Sequence, residues 1–274
     1  MQQVKKLEIE TDLRFAIEHH ELRVHFQPIM QLQAQGFREM EALVRWQHPT
    51  RGLLSPASFI EIAEQTGLIV PLGKWVLEEG CRQMAAWHAE VLTIPPMSLS
   101  VNLSPREFQS PNLVDEVARI LLATGLPAGC LKLEITEGIV MRDVEATITT
   151  LWRLKQLGIR IAIDDFGTGY SSLGYLKRLP VDVLKIDRSF VSGLGRNSED
   201  AAIVRAIIAM AKSLGLAVTG EGVETEEQAD LLGAWGCDRG QGYYYGKPLD
   251  GAATAALLRA ADTAEAVNPA AIAV

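Results

Sequence analysis

The residues in this chain best suited to chemistry are two adjacent carboxylates. Asp164 and Asp165 close the apolar run Ile161-Ala-Ile and stand directly before Phe166-Gly-Thr-Gly-Tyr-Ser-Ser172. Neighbouring acids leaving a buried strand are costly unless something cationic meets them. The arrangement recurs along the chain, where apolar runs end in or near a polar group at Val101-Asn102, Leu131-Lys-Leu-Glu134, Leu184-Lys185-Ile-Asp187, Thr219-Gly-Glu221 and Gly240-Gln241. Set at strand ends, Glu41, Asn102, Glu134, Asp164, Asp165 and Glu221 would converge from different strands on one mouth, as active sites of parallel barrels do. Five carboxylates with one lysine, Lys185, carry a formal charge of about −4, which repulsion opposes unless cations bind. Oxygen ligands select Mg²⁺ or Mn²⁺ over zinc. Asp164, with acids on both sides, is the natural bridge between two ions roughly 3.5–4 Å apart, a pair that activates water and stabilises in-line phosphoryl displacement. For Asp164-Asp165 alone, a helix-capping turn competes; the other polar strand ends outweigh it.

The elements that must position these groups follow from periodicity. Short buried strands are expected at Val24–Leu32, Arg38–Gln47, Met97–Leu103, Leu131–Thr136, Arg160–Phe166, Val181–Asp187, Leu216–Val223 and Asp238–Tyr244, most separated by segments of helical period. Leu157-Gly158, Leu214-Gly215 and Trp235-Gly236 each place a glycine at a helix end just before a strand. Ser55-Pro56 and Ser104-Pro105-Arg-Glu107 offer N-caps, and Thr225-Glu-Glu-Gln228 a capping box. Alternating helix and strand implies a parallel sheet, and eight strands imply a barrel. The first two strands are joined by a short polar turn around Gln35-Gly36, so they should be antiparallel. The fold class is therefore α/β, a modified TIM-type (β/α)8 barrel with an antiparallel strand at its start. The barrel is assigned to residues 12–262, with 1–11 a linker or stump and 263–274 a loose C-terminal tail.

Composition sets the bounds. The 274 residues, 48% hydrophobic and 22% charged, are enough for one barrel with an ample core. A net charge of −8 argues against sequence-independent binding to duplex nucleic acid, which needs a basic footprint, while a small anionic ligand is compatible if metal ions reverse the local sign. Cys81, Cys130 and Cys237 are odd in number and widely spaced, which points to buried thiols in a reducing, cytoplasmic setting. The most apolar helix candidate, Ala201–Val218, is broken by Arg205 and Lys212, so no membrane span is expected within the chain, although a longer parent protein could carry an anchor. The five histidines show no metal spacing with the acids, and the five tryptophans read mostly as helix-face core.

The residues resemble the EAL-domain cyclic di-GMP phosphodiesterases. The resemblance is carried by Glu41-Ala-Leu43-Val-Arg45-Trp46, preceded by Phe26-Gln27-Pro28-Ile29. It continues through Val101-Asn102-Leu-Ser104, Glu134-Ile-Thr-Glu137, Asp164-Asp165-Phe-Gly-Thr-Gly-Tyr-Ser-Ser, Lys185-Ile-Asp187, Glu221-Gly-Val-Glu224 and Gln241-Gly242. It runs from about Asp12 to Leu258. The resemblance implies that Glu41, Asn102, Glu134 and Asp164 hold a first metal, and that Asp164, Asp165 and Glu221 serve a second. Lys185 would orient the attacking water or offset phosphate charge, with Gln241 close by. Gln27, Leu43 and Arg45 would touch substrate, the arginine on a phosphate oxygen, and Pro248 would line a guanine pocket. Asp187 joins the substrate contacts, with a supporting hydrogen-bond role for it and Glu224 as the alternative. Glu137 would pin the loop Phe166–Ser172, and a dimer contact near Ser172–Leu179 would act on the site through that loop.

The function that the resemblance implies is metal-dependent hydrolysis of cyclic di-GMP to linear 5′-pGpG with Mg²⁺ or Mn²⁺, as a pair of ions, in bacterial second-messenger signalling. Expected partners are a second copy of the chain and an upstream sensory or cyclase domain. The rival is a catalytically silent cyclic di-GMP receptor that signals by contact. Phe26, where the family commonly has tyrosine, leaves one hydroxyl fewer beside Gln27, a change expected to bear on substrate affinity.

Overall fold

A computed structural model describes residues 2–33, 36–91, 95–169 and 173–263. Among these, nine strands form one sheet: β1 (Leu22–Gln31), β2 (Phe37–His48), β3 (Gly52–Leu54), β4 (Ser98–Leu103), β5 (Leu131–Thr136), β6 (Arg160–Phe166), β7 (Val183–Ile186), β8 (Ala217–Gly220) and β9 (Arg239–Gly240). Their order is β1-β9-β8-β7-β6-β5-β4-β2-β3, and a β1–β2 pairing closes eight of them into a barrel. Pairing is parallel from β2 through β4 to β9, and β1 is antiparallel to both its neighbours. The reversed strand is thus β1, tied to β2 by a register that sets Gln27 opposite Glu41.

Two features differ from expectation. Strand β3 was not foreseen; it folds back on β2 as a short flap outside the barrel, with Trp46 opposite Leu54. The last three strands are shorter than the apolar runs that contain them. Asp187 leaves β7 to cap the helix Arg188–Val191. After β8 the backbone turns at Gly222, whose φ of +67 lies in the left-handed region and where a Cβ would come within 2.5 Å of the Arg188 Cβ.

The outer layer is helical. The longest described helix, Ile69–Glu90, buries Leu72, Val76, Leu77, Cys81, Met84 and Trp87 at three- and four-residue spacing. The expected capping box forms at Thr225 with Gln228, the expected N-cap Ser104 goes further and completes a capping box with Glu107, and Ser55 makes no side-chain cap. Trp152, read as core, is 54% exposed on the helix Val144–Gln156. The helix Gln2–Glu18 runs through the boundary placed at residue 11. The tail from residue 264 onward and Tyr170–Ser172 of the glycine loop lie outside the described residues. All three cysteines are buried and free, and burial pushes the Cys81 and Cys237 thiols up to about 12.

Candidate active site

Side chains alternate across a strand, so every second residue of each barrel strand faces the interior. Glu41 on β2, Asn102 on β4, Glu134 on β5, Asp164 on β6 and Lys185 on β7 are such positions, and Glu221 and Gln241 follow directly on β8 and β9. All meet at the carboxyl ends of the parallel strands.

Lys185 is the hub. Its ammonium is 1% exposed and lies 2.5 Å from Glu134 Oε2, 2.7 Å from Glu221 Oε1, 3.2 Å from Asp164 Oδ1 and 3.8 Å from Glu41 Oε2. Burial works against its charge, but these four acids outweigh burial and hold its pKa well above the ordinary lysine value. The acids are raised in turn. Burial lifts Glu134 to about 7, with Glu41 and Asp164 adding repulsion that Lys185 only partly offsets. Burial likewise holds Glu221 well above the usual carboxylate range.

Around this hub, Glu41 accepts hydrogen bonds from Asn102 Nδ2 at 2.6 Å and Gln241 Nε2 at 2.5 Å. Gln241 also donates to Gln27 Oε1 at 3.2 Å, and Gln27 donates to the Gly246 carbonyl at 3.0 Å. The segment containing Pro248 is held along β1 by paired bonds between Phe26 and Leu249. Leu43 and Arg45 continue the face of Glu41 toward the rim, where Arg45 is half-buried. Phe26, by contrast, faces away from Gln27 and packs edge-on against Trp87 at 4.6 Å. A hydroxyl there would point into the helix layer, so the expected effect of its loss on substrate affinity has no structural basis.

Asp165 owes its place to a break in the strand. Adjacent residues of a regular strand face opposite ways, yet ligand atoms of Asp164, Asp165 and Glu221 all lie within 4.8 Å of one another. The register shifts between Ile163 and Phe166, and Asp165 adopts a φ of +52, which turns its carboxylate to the mouth. Burial and the neighbouring Asp164 and Asp187 raise it to about 6. For Asp187, hydrogen bonds from the Ser189 hydroxyl and N–H prevail over burial and bring its pKa down. Just beyond, Gly167 N–H donates to Glu137 Oε2 at 3.1 Å.

A cleft of about 310 Å³ opens over these groups, bounded by Gln27, Leu43, Asp187, Gly222, Glu224 and Tyr243 among others. The donor set suits divalent cations. Glu134 Oε1 and Asp164 Oδ1 are buried without a hydrogen-bond partner, the latter despite its closeness to Lys185. Buried carboxylate oxygens left unpaired in a cluster of oxygen ligands are what a hard cation would satisfy. Glu41 and Glu134 fall outside the three-acid group, and Glu134 stands on β5, the direct neighbour of the strand that carries Asp164.

Sequence reasoning missed a second polar layer. Two residues before the site groups on the same strands stand Glu39, Ser100, Lys132, Thr219 and Arg239, all inside the barrel. Following the strand alternation one step below each site residue would have found them.

An eight-stranded barrel with one reversed strand and an acidic mouth organised around a buried lysine defines a class of α/β barrel built to hold cations at its carboxyl end. Within that class, the family model described as EAL domain matches residues 10–248, and the chain belongs to this family. It is 46% identical over 249 residues, 89% of the chain and 36% of the relative, to the bifunctional diguanylate cyclase/cyclic di-GMP phosphodiesterase MucR of Pseudomonas aeruginosa. It is 44% identical over 256 residues, 93% of the chain and 32% of the relative, to the cyclic di-GMP phosphodiesterase NbdA of the same organism. The chain thus spans about a third of the length of these relatives. Among solved structures, the PaMucR phosphodiesterase in complex with c-di-GMP superposes with a TM-score of 0.87 at 45% identity, covering 90% of this chain and 99% of that one.

Proposed function

We propose that this chain is a cyclic di-GMP phosphodiesterase domain that opens its substrate to linear 5′-pGpG with Mg²⁺ or Mn²⁺. The observation that carries the reading is the convergence of Glu41, Glu134, Asp164 and Glu221 on one buried ammonium, with orphaned carboxylate oxygens beside it. The relatives' names supply the nucleotide. Glu41, Asn102, Glu134 and Asp164 would hold one cation, and Asp164, Asp165 and Glu221 a second. When bound, such ions lower the pKa of water and neutralise charge developing on phosphate.

The chain's own groups do the rest. Lys185, kept charged by its acids, faces the phosphate region and offsets anionic charge there. Gln27, Gln241 and Arg45 line the side through which a phosphodiester enters, the arginine able to grip a non-bridging oxygen. Leu43 and Asn102 also border a mainly apolar pocket of about 280 Å³ beside the cleft, suited to a purine ring. Water adds to one phosphorus in line, the P–O3′ bond breaks, and the 3′ oxygen leaves protonated. Glu137 holds the backbone that follows the two aspartates. A second copy meeting the helix Leu173–Leu176, an upstream sensory or cyclase module and a cytoplasmic setting belong to the same reading; no described helix is long and apolar enough to cross a membrane.

The test is chromatography of cyclic di-GMP incubated with the chain and Mg²⁺ or Mn²⁺, beside chelator and Glu41→Ala. Formation of 5′-pGpG that disappears in both controls is expected. Tight binding with no product under any metal would replace the enzyme by a receptor.

A further inference from the structure

The layer beneath the site is unusual for a barrel of this type, whose interior is ordinarily filled by branched apolar side chains. Lys132 and Ser100 are fully buried and Glu39 is 3% exposed. One oxygen, Glu39 Oε1, accepts from both Lys132 Nζ and Ser100 Oγ, the latter at 2.8 Å. Because Glu39, Ser100 and Lys132 each stand two residues before Glu41, Asn102 and Glu134, that oxygen ties together the three strands that carry those groups, one level below them.

We infer that Glu39, Ser100 and Lys132 form a strut that positions Glu41, Asn102 and Glu134 as one cation-binding wall, with Lys132 as its central positioning residue. This rests on the two-cation reading above. Neighbouring strands lie about 4.8 Å apart, so β2 and β5, on either side of β4, are separated by roughly 10 Å. A long side chain is needed to cross that gap, and lysine provides it. One level above, among the described residues, β2 and β5 share no direct side-chain bond: Asn102 reaches Glu41, and Glu134 meets Glu41 only through Lys185 on β7, which stands 3.8 Å from Glu41.

Stability alone is a poor explanation for the pair. A buried ion pair is often no better than an apolar filling of the same volume, whereas it fixes geometry that an apolar filling leaves adjustable. The layer also carries excess positive charge. Arg239 Nε lies 3.8 Å from Glu39 Oε2, so two cations face one anion directly beneath the acidic mouth. Lys132 is among the charges that favour ionised Glu134.

The test is calorimetric titration of Mn²⁺ into the full chain without nucleotide, with thermal unfolding in chelator alongside. Three proteins are compared: the native chain, Glu39→Leu/Lys132→Met, and the exchange Glu39→Lys/Lys132→Glu, which restores a pair across the same strands. In the apolar variant one Mn²⁺ site should weaken by ~10-fold or more while the other stays within ~2-fold, as removal of a ligand's supporting partner does. Its melting should stay close to native, and the exchange should recover most of the lost affinity. Native binding of both ions in the apolar variant, equal weakening of both sites, failure of the exchange to recover affinity, or failure of the apolar variant to fold would each overturn the strut. A native chain that takes up no Mn²⁺ would sink the cation reading and the strut with it, whereas native uptake with an unaffected variant would sink the strut alone.

Discussion

Lys185→Met removes the ammonium at the centre of the site and keeps most of its stem. Four carboxylates now share one cation, at distances from 2.5 to 3.8 Å. Without it, Glu41, Glu134, Asp164 and Glu221 face one another in a buried space. Removing one partner of a buried ion pair costs about 3–5 kcal/mol. At about 2–4 °C per kcal/mol for a chain approaching this size, melting in chelator should fall by roughly 6–20 °C.

Two conditions should change that loss in predictable directions. Glu134 stands at about 7 against an ordinary 4.5, and Glu221 is raised as well, so the folded chain holds protons that the unfolded chain has released. Stability from these acids is therefore greatest at low pH and declines as pH rises from the unfolded value through the folded one. Without Lys185 both groups are raised further. The variant's deficit should be larger near about pH 8, above the value of about 7 at Glu134, than near about pH 6, below it. Saturating Mg²⁺ should also shrink it, because cations that bind the folded state stabilise it by mass action. Circular-dichroism melts at both pH values, with chelator and with Mg²⁺, measure all of this. A deficit that is the same at both pH values and unchanged by Mg²⁺ would refute the electrostatic origin of the arrangement.

Further outcomes follow from other positions. Gly222→Ala places a Cβ within 2.5 Å of Arg188 at a φ of +67, so left-handed strain of about 1–2 kcal/mol and crowding of about 1–3 kcal/mol should together lower the urea midpoint and weaken divalent-cation binding through Glu221. Glu107, buried against Gly73, where a Cβ would come within 1.8 Å of its carboxylate, is raised to about 7 by burial despite bonds from Ser104. The native chain should therefore lose stability on the order of 3 kcal/mol as pH climbs from about 5 to above 7, and urea titrations of Glu107→Gln, which keeps the acceptor oxygen, should show this component gone.

How much of this could be read beforehand depended on which physical signal each part leaves in the sequence. Buried parallel strands leave apolar runs, so all eight barrel strands were located and the polar residues at their ends were found together. The short turn near Gly36 marked the antiparallel opening. Strand ends were less legible where glycine decides them: the runs after Ala217 and Arg239 stay apolar past the points at which Gly222 and Gly242 turn the backbone, so β8 and β9 were drawn too long. The flap Gly52–Leu54 has too few residues to show a period. The lower polar layer went unseen because Lys132 and Glu39 look like surface charges unless strand alternation is followed inward from Glu134 and Glu41.

Asp165 shows why spacing alone could not give the geometry of the site. Strict alternation would send one of two adjacent aspartates out of the barrel, and the pair would then serve a single cation wall. The register shift after Ile163 and the left-handed turn at Asp165 bring both carboxylates to the mouth beside Glu221. For a non-glycine residue that conformation costs roughly 1–2 kcal/mol, least for Asp and Asn, whose short polar side chains bond locally. Here Thr168 closes the turn by donating its hydroxyl to the Asp165 carbonyl at 2.8 Å, and Glu137 accepts from the Gly167 amide two residues on. The strain is thus held from both sides, by Thr168 within the loop and by Glu137 at the start of the helix Glu137–Arg142, and what it produces is a second carboxylate at the mouth beside Asp164 and Glu221.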